Sequence, residues 1–541
     1  MEILVVLLTS INMSGGFSTF SPGDAVGVTF YDYTPGNQPT WQVFYDGGDG
    51  THCTWIFADS LALDRYCFYN FKLSGSWYGE IGVSSGEAGW EAVGAKPSNN
   101  AGVCAYHMTA PGDIYRSWVA VDESQGGYTF TEHAVLPQET NEQIIWPSLA
   151  VDNQENFHVV NHSYYYETIL YTRSTDGGVT WEDTTILYEE SSGSGPGRNI
   201  SGGVFADRWN TPGKIIRDWT EWTGEGTGGT AQHAQDVCYQ ISTDYGATWG
   251  PKINLTQYQP SDTMRAFCHI KGIFDGNGDP HIVFATNYFV GGTAYNRSWI
   301  IHWSPSTGFS NVAGPFSMNN NPGNWRLPCD YGNIALDRDN GWLYATYSLS
   351  RDTTPRNGDV MGKYSIDNGT TWISAAQGDT GVNLTKTPPG VFCNDDYPCL
   401  SPYTELIGGI KSLVLYYIED NDTNSPNSVE PCTVRVYFCS ADSLIKTDEP
   451  GPVTPAATHL LSVYPNPARS ITTINYALSQ ESWVNVKVLD VTGRIMDEPV
   501  DQVLPAGYHT VHYKAELPPG VYFVVMEAEN YLQTNRFVLI R

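Results

Sequence analysis

Basic residues are scarce in this chain. Across 541 residues, 28 Lys and Arg stand against 58 Asp and Glu, a formal charge of −30 with histidine neutral. A surface of that sign repels phosphate backbones and anionic bilayers, which argues against nucleic acid as a partner. Charged residues of both signs together make up only 16%, too few for a charge-laced helical bundle or a solvated disordered chain. Long apolar runs are missing too. No stretch approaches the roughly 20 residues a membrane helix needs, so no transmembrane segment is expected. The short run Ile3 to Leu8 has no Lys or Arg ahead of it and no clean cleavage site behind it. Residues 1–24 are read as a remnant signal segment.

The ten cysteines lack any CxxC spacing, and no metal or other cofactor is expected from them. Three pairs, Cys53 with Cys67, Cys393 with Cys399 and Cys432 with Cys439, sit where neighbouring strands could join them. They are expected as disulfides of an oxidising compartment, the alternative being buried free thiols. Asp275-Gly-Asn277-Gly-Asp279 opens like a calcium loop. However, Pro280 replaces the required Gly and Thr286 stands where a bidentate Glu belongs, so the segment reads as a hairpin turn. The acidic run Glu419-Asp420-Asn421-Asp422 could hold a surface calcium ion, although a solvated loop is its plainer reading.

The chain is rich in turn formers and rings. Its 54 Gly, 32 Pro and 13% aromatics suit many short strands joined by tight turns, an all-β fold. One eight-residue pattern, S-x-D-x-G-x-T-W, occurs three times, carrying Asp176 and Trp181, Asp244 and Trp249, and Asp367 and Trp372. Its Ser and Asp can bond the backbone of a tight turn, its Gly takes a positive φ and its Trp packs under the hairpin. A second repeat, an Asp/Gly turn between two apolar strands, recurs at Asp46, Asp152, Asp275 and Asp337, with a looser copy at Asp207. From Asp152 the steps to Asp207, Asp275 and Asp337 are 55, 68 and 62 residues, and Asp46 lies 106 before Asp152, twice 53. Copies near Asn99 and Ser401 would fill the series. The count gives seven blades of a β-propeller over residues 25–440, with six as the alternative. Residues 441–459 read as a Pro/Thr-rich linker, and residues 460–541 as a small Ig-like β-sandwich.

The eight-residue pattern resembles the Asp-box of bacterial-neuraminidase repeats, which implies a sialidase-like β-propeller. Val463-Tyr-Pro465-Asn-Pro467-Ala468, Asp490-Val-Thr-Gly493-Arg494, Gly520-Val-Tyr522 and the basic end Arg536 to Arg541 resemble the type A C-terminal sorting domain of type IX secretion. That resemblance implies export by the type IX machinery of a Bacteroidetes-type bacterium, to the medium or the cell surface.

Blade geometry separates the loops. The Asp turns (between strands A and B) and the Asp-boxes (between C and D) share one face, leaving the B–C and D–A loops to form the other. On that freer face lie Tyr164 to Tyr166, the segment Arg217 to His233 and the segment Tyr288 to Arg297. Exposed rings beside carboxylates stack on and hydrogen-bond sugars, so an extracellular glycan or glycoprotein is the expected partner, with Trp222 and Trp146 among its contacts. Arg198, Arg265 and Arg326 stand at or just before the first strand of three blades and could converge on one ligand carboxylate, unless each pairs with a neighbouring blade carboxylate. Trp325-Arg326-Leu327-Pro328 is similar to the F-R-I-P arginine motif of sialidases. The sialidase resemblance would also require a Tyr–Glu pair and an Asp acid/base. By position alone Tyr397, Glu221 and Asp396 are the candidates. Two functions are therefore carried forward: glycan or protein binding without turnover, and glycoside hydrolysis.

Overall fold

A computed structural model describes residues 21–540 apart from 32–39, 60–63, 111–113, 136–142, 164–167, 190–200, 320–325, 352–356, 375–379, 387–392, 421–430, 446–457, 465–470, 515–516 and 529–530. The described residues fall into two compact units, residues 21–445 and residues 458–540. Both are all-β, with antiparallel pairing throughout the larger unit's sheets.

The larger unit repeats one motif, a four-stranded meander. The first sheet runs from Val43–Tyr45 through Gly50–Ala58 and Arg65–Leu73 to two short outer strands, and the second holds Ala88–Ala95, Gly102–Ala110, Ile114–Asp122 and Phe130–Ala134. The third holds Ile144–Val151, Phe157–Ser163, Ile169–Ser174 and Thr185–Tyr188. The fourth begins at Gly202–Ala206 and the fifth at Met264–Phe274, and one bridge, Gln235 to Ala266, joins these two. The sixth begins at Cys329–Leu336. The last combines Asn394–Leu400, Ile410–Asp420 and Cys432–Ser440 with Asp24–Thr29 from the start of the described chain. That strand pairs antiparallel with the last one, Asp24 opposite Val436 and Thr29 opposite Cys432, so backbone hydrogen bonds tie the two ends of the unit together. Val26 and Trp41 accordingly share one core with Tyr397, Cys399 and Val434.

Five inner corners turn on an aspartate, Asp46, Asp152, Asp207, Asp275 and Asp337, while Asn99 serves in the second sheet. Asp152 Oδ1 accepts the amides of Gln154 at 2.8 Å and Asn156 at 3.0 Å, fixing the turn. Its Oδ2 bonds His158 Nε2 on the second strand at 3.1 Å, and His158 Nδ1 bonds the Tyr171 hydroxyl on the third at 2.8 Å. The first sheet repeats the relay through Asp46, His52 and Tyr69, with 3.1 and 2.7 Å for the two histidine bonds. In the fifth, Asp275 holds the amides of Asn277 and Asp279 at 2.9 and 2.8 Å, and a second histidine, His302, takes the tyrosine's place at 2.8 Å from His281. Asp275-Gly-Asn277-Gly-Asp279 is thus a hairpin turn.

The outer corners are the three S-x-D-x-G-x-T-W repeats. In the copy at Asp244, Ser242 Oγ donates to Asp244 Oδ1 at 2.8 Å, and the Thr248 amide and hydroxyl donate to the same carboxylate at 2.8 and 2.6 Å. Those threonine bonds hold the Asp244 carboxyl down at about 2. Gly246 has φ +76° and lies against the preceding sheet's relay, where a Cβ would come within 2.6 Å of the Tyr171 hydroxyl. Gly369 sits in the same way against His302. Trp249 meets the Tyr171 ring edge-on at 5.0 Å, under the Arg217 guanidinium. One sheet's outer corner therefore closes over its neighbour's inner corner.

The cysteines differ from expectation: among the described residues all ten are buried thiols. Register explains why the expected pairs cannot form. Cys67 faces Ile56, three residues from Cys53, which puts the two sulfurs on opposite faces of their sheet. Cys432 and Cys439 lie seven residues apart on one strand, roughly 23 Å at about 3.3 Å per residue, against about 7 Å at most for a bridged pair. Cys393, just before the strand Asn394–Leu400, and Cys399, near its end, are separated for the same reason.

The smaller unit has a three-stranded sheet, His459–Tyr464, Ile471–Leu478 and Gly507–Lys514, and a four-stranded one with Ser482–Leu489 and Gly520–Ala528 at its centre. Alternate residues Val484, Val486 and Val488 meet Val524, Met526, Ile474 and Tyr476 in a single core. Asp490 turns a corner here too, accepting the amides of Thr492 at 2.8 Å and Arg494 at 3.1 Å.

Two predictions follow the corners. Gly246→Ala and Gly177→Ala both place a Cβ at φ +76°, but only Gly246 meets a neighbour. Gly177→Ala should cost about 1–2 kcal/mol of backbone strain, and Gly246→Ala a further 1–3 kcal/mol or so of overpacking. Urea denaturation of the two variants measures the difference. The second concerns acid. Burial of Asp152 opposes its ionisation, but the bond and charge of His158 and the Asn156 donors outweigh it and hold the carboxyl below its ordinary value. A depressed carboxyl contributes stability that is present above its unfolded value, about 3.9, and is lost as pH falls through the folded one. Asp152→Asn should therefore lower stability at pH 6 and flatten its decline below pH 4, as read from urea midpoints across that range.

Candidate functional site

The candidate site is the mouth opposite the Asp turns, where the first strand of each sheet begins. Four of these strands carry the same irregularity. Between Gly89 and Ala92, Ile145 and Ser148, Asp330 and Asn333, and Asp396 and Cys399, the pairing slips by one residue, so two residues oppose one on the partner strand. The first bulged residue is aromatic each time and has left-handed backbone: Trp90 at φ 51°, Trp146 at 55°, Tyr331 at 50° and Tyr397 at 52°. That conformation costs a side-chain-bearing residue on the order of 1–3 kcal/mol and is held at four equivalent places by the surrounding sheets.

The bulges gather rings into two arcs. In one, Trp90 stacks on His107 at 5.2 Å and approaches Trp146 at 6.1 Å, with the Arg65 guanidinium 5.2 Å over Trp90. In the other, His233, Phe267, His269, Tyr331 and Tyr397 follow one another at centroid distances of 4.8, 5.1, 4.1 and 5.1 Å. Burial pushes His107 down to about 3, with Arg65 adding to it, and His162 and His233 to about 4. Those three imidazoles are neutral across the physiological range.

His269 is held differently. Its Nδ1 bonds Asp330 Oδ1, whose other oxygen accepts the Leu327 amide at 2.8 Å, and its ring lies on Tyr331. Nε2 is buried and has no hydrogen-bond partner among the described residues. A carboxylate on Nδ1 fixes ring and tautomer and leaves Nε2 to accept a proton, the arrangement of a general base. Below it, Lys271 donates to Asn333 Oδ1 at 2.7 Å and lies 4.2 Å over the Trp41 ring. Burial lowers Lys271 and raises Asp218 to about 7, driving both toward neutrality.

The expected arginine cluster takes another form. Arg265 is fully buried and spends its donors on Glu225 Oε2, at 2.7 and 2.5 Å, and on the carbonyls of Gln259, Asp262 and Met264. Arg326 is paired with Asp396, whose Oδ1 also accepts from Ser348 at 2.7 Å and from the Tyr397 amide at 2.8 Å. Arg265 and Arg326 are thus each closed by a carboxylate of their own, not open to a shared anion. Arg198 and Tyr164 to Tyr166 lie outside the described residues.

Of the three positional candidates, Asp396 and Tyr397 are brought together, with Arg326 5.4 Å over the tyrosine ring. Glu221 is not joined to them. It accepts from Trp219 Nε1 at 2.7 Å and from Lys252 at 2.5 and 2.7 Å. Trp222 donates to the Glu225 carbonyl at 2.6 Å, pinning the loop that carries Arg265's partner. Glu419 bonds Arg435, while Asn421 and Asp422 lie outside the described residues. Sequence reasoning missed His269, Asp330 and Trp90. One signal was present: Trp146-Pro147 and Tyr397-Pro398 are bulge positions, and their counterpart in the sixth sheet is Tyr331-Gly332, not Leu327-Pro328.

Residues 462–541 match the family Secretion system C-terminal sorting domain. The protein is therefore type IX cargo of a Bacteroidetes-type bacterium, secreted or held at the cell surface. Among the described residues no helix is long and apolar enough to cross a membrane. No curated protein matches the chain. Among solved structures, polysaccharide lyase Uly1 is similar at 13% identity, covering 80% of this chain and 94% of its own, with a TM-score of 0.43. An α-L-arabinanase of Penicillium chrysogenum complexed with arabinobiose is similar at 14% identity, covering 64% and 92%, with a TM-score of 0.39. A Hadza microbial sialidase is similar at 15% identity, covering 81% and 76%, with a TM-score of 0.31.

Deleting residues 460–541 should leave the rest of the chain trapped in the periplasm. Fractionation of the producing bacterium checks this, and the deleted protein in the medium or on the surface at the intact protein's level would contradict it.

Proposed function

We propose that this protein is a secreted or surface-displayed seven-bladed propeller, residues 25–440, that binds an extracellular glycan or glycoprotein at its mouth without turnover. Residues 441–459 would be a linker and residues 460–541 an Ig-like sorting module. The observation that carries the reading is the pair of partly exposed tryptophans on matched strand bulges, Trp90 and Trp146, the tyrosines of the other two bulges, Tyr331 and Tyr397, being buried. Rings held rigidly around a channel mouth present flat apolar surface to sugar faces at little entropic cost. The acidic groups described nearby are occupied: Glu221 by Lys252, Glu225 by Arg265 and Asp396 by Arg326. A Tyr–Glu nucleophile pair drawn from Tyr397 and Glu221 has no support in their positions. The second reading, a glycoside hydrolase acting on the same glycan, is favoured by one observation, the Asp330–His269 pair with its unpartnered Nε2.

A glycan array probed with the full chain, run beside fluorogenic sialoside hydrolysis, separates the two. Binding without product is the expected result. Trp90→Ala and Trp146→Ala should each weaken the best glycan by about 1 kcal/mol, roughly fivefold. Product formation that disappears in His269→Gln would favour hydrolysis, and tryptophan variants that bind like the parent would remove the mouth as the site.

A further inference from the structure

The first and second sheets of the larger unit meet through two strands, Arg65–Leu73 of the first and Gly102–Ala110 of the second. Alternate residues of each strand face the same way. At one point of the contact Gly102 carries no side chain, and a Cβ there would come within 2.8 Å of the Tyr69 hydroxyl. Four residues on, the Tyr106 hydroxyl donates to the Val83 carbonyl at 3.2 Å, and the Val83 amide in turn donates to the Cys67 carbonyl at 2.8 Å. Cys104 stands midway between Gly102 and Tyr106, and Cys67 stands two residues before Tyr69. The two contacts therefore set Cys104 opposite Cys67.

Both thiols are fully buried in one core with Tyr69, Phe71, Val83 and Tyr106, and each has the other within hydrogen-bonding reach. Cys53 is on the other face of its sheet and belongs to a different core. The pairs expected from sequence spacing fail because their members share a strand or point to opposite faces. Cys67 and Cys104 meet neither obstacle, since they approach from two sheets and are 37 residues apart in the chain. Type IX export also takes the chain through the periplasm, a compartment in which disulfides form and persist.

We propose that Cys67 and Cys104 are joined by a disulfide in the exported protein, stapling the first sheet to the second. Two S–H bonds break and one S–S bond forms. The two electrons and two protons pass to the disulfide of a periplasmic dithiol oxidant, which leaves as its dithiol. Burial pushes the Cys67 thiol well up, so the packed thiol is a poor nucleophile and the exchange belongs to the stage before the two sheets close. The staple lies two residues along one strand from Arg65 and three along the other from His107, the groups on either side of Trp90. It would thus fix one arc of the mouth, whether the mouth binds a glycan or hydrolyses it.

Differential alkylation of the full exported chain tests the proposal. Iodoacetamide blocks free thiols as the chain unfolds in urea without reductant, and N-ethylmaleimide added after reduction marks the cysteines that were bonded. Peptide mass spectrometry should find N-ethylmaleimide on Cys67 and Cys104, and an unreduced digest should contain the two peptides linked to each other. Full chain folded under reductant throughout should melt several degrees below the exported protein, because the closed loop no longer restricts the unfolded chain. Cys104→Ser should melt with that reduced form and leave Cys67 open to iodoacetamide. If the variant fails to fold, labelling of the parent chain decides alone. Iodoacetamide on both cysteines of the exported parent, or a link from either to a third cysteine, would overturn the proposal.

Discussion

The carboxylate at the inner corner is the interaction on which the larger unit depends. One oxygen of Asp152 sets the turn by accepting two amides, and the other reaches His158 on the second strand, which passes the bond to Tyr171 on the third. A single side chain thus fixes the turn and, through two more, the lateral spacing of three strands. Because all three groups are buried, losing one would leave the others desolvated and unpaired, a far larger penalty than the net worth of each bond. Tyrosine is not essential at the far end. His302 serves in the fifth sheet, and at Asp207 a tyrosine from the last sheet, Tyr403, supplies a bond at 3.0 Å.

The Asp-boxes gain their structural value from that relay. Their own bonds are local and close a hairpin that any sheet could use. What couples neighbouring sheets is the bare glycine Cα, which lets Gly246 rest on Tyr171 and Gly369 on His302. The Asp and Ser oxygens of these corners are consumed by turn amides and threonine hydroxyls.

That rim shows how a repeat fold makes a site. A bulge in one strand is a small fault, but four bulges at matched positions bring Trp90 to Trp146 and Tyr331 to Tyr397, at the cost of backbone strain that isolated strands would not bear. The same rim uses its few cations as staples. Arg265 binds three carbonyls besides Glu225, and Arg326 ties the approach to the sixth sheet to Asp396 of the last.

Features written in consecutive residues were determined by the sequence alone. The Asp-box hairpins, the Asp turns and their spacing, the all-β character and the C-terminal sorting motifs rest on bonds between residues within a few positions of each other, so composition and order suffice to specify them. Tertiary structure decided whatever depends on strand register and on the meeting of sheets. It put Cys53 and Cys67 on opposite faces of one sheet, closed Arg265 and Arg326 with carboxylates, and left Glu221 to Lys252 and not to Tyr397. It also joined His269 to Asp330, 61 residues apart on adjoining sheets. A slip of one residue in any of those strands would reverse which face each side chain meets, and no local pattern in the sequence records that choice.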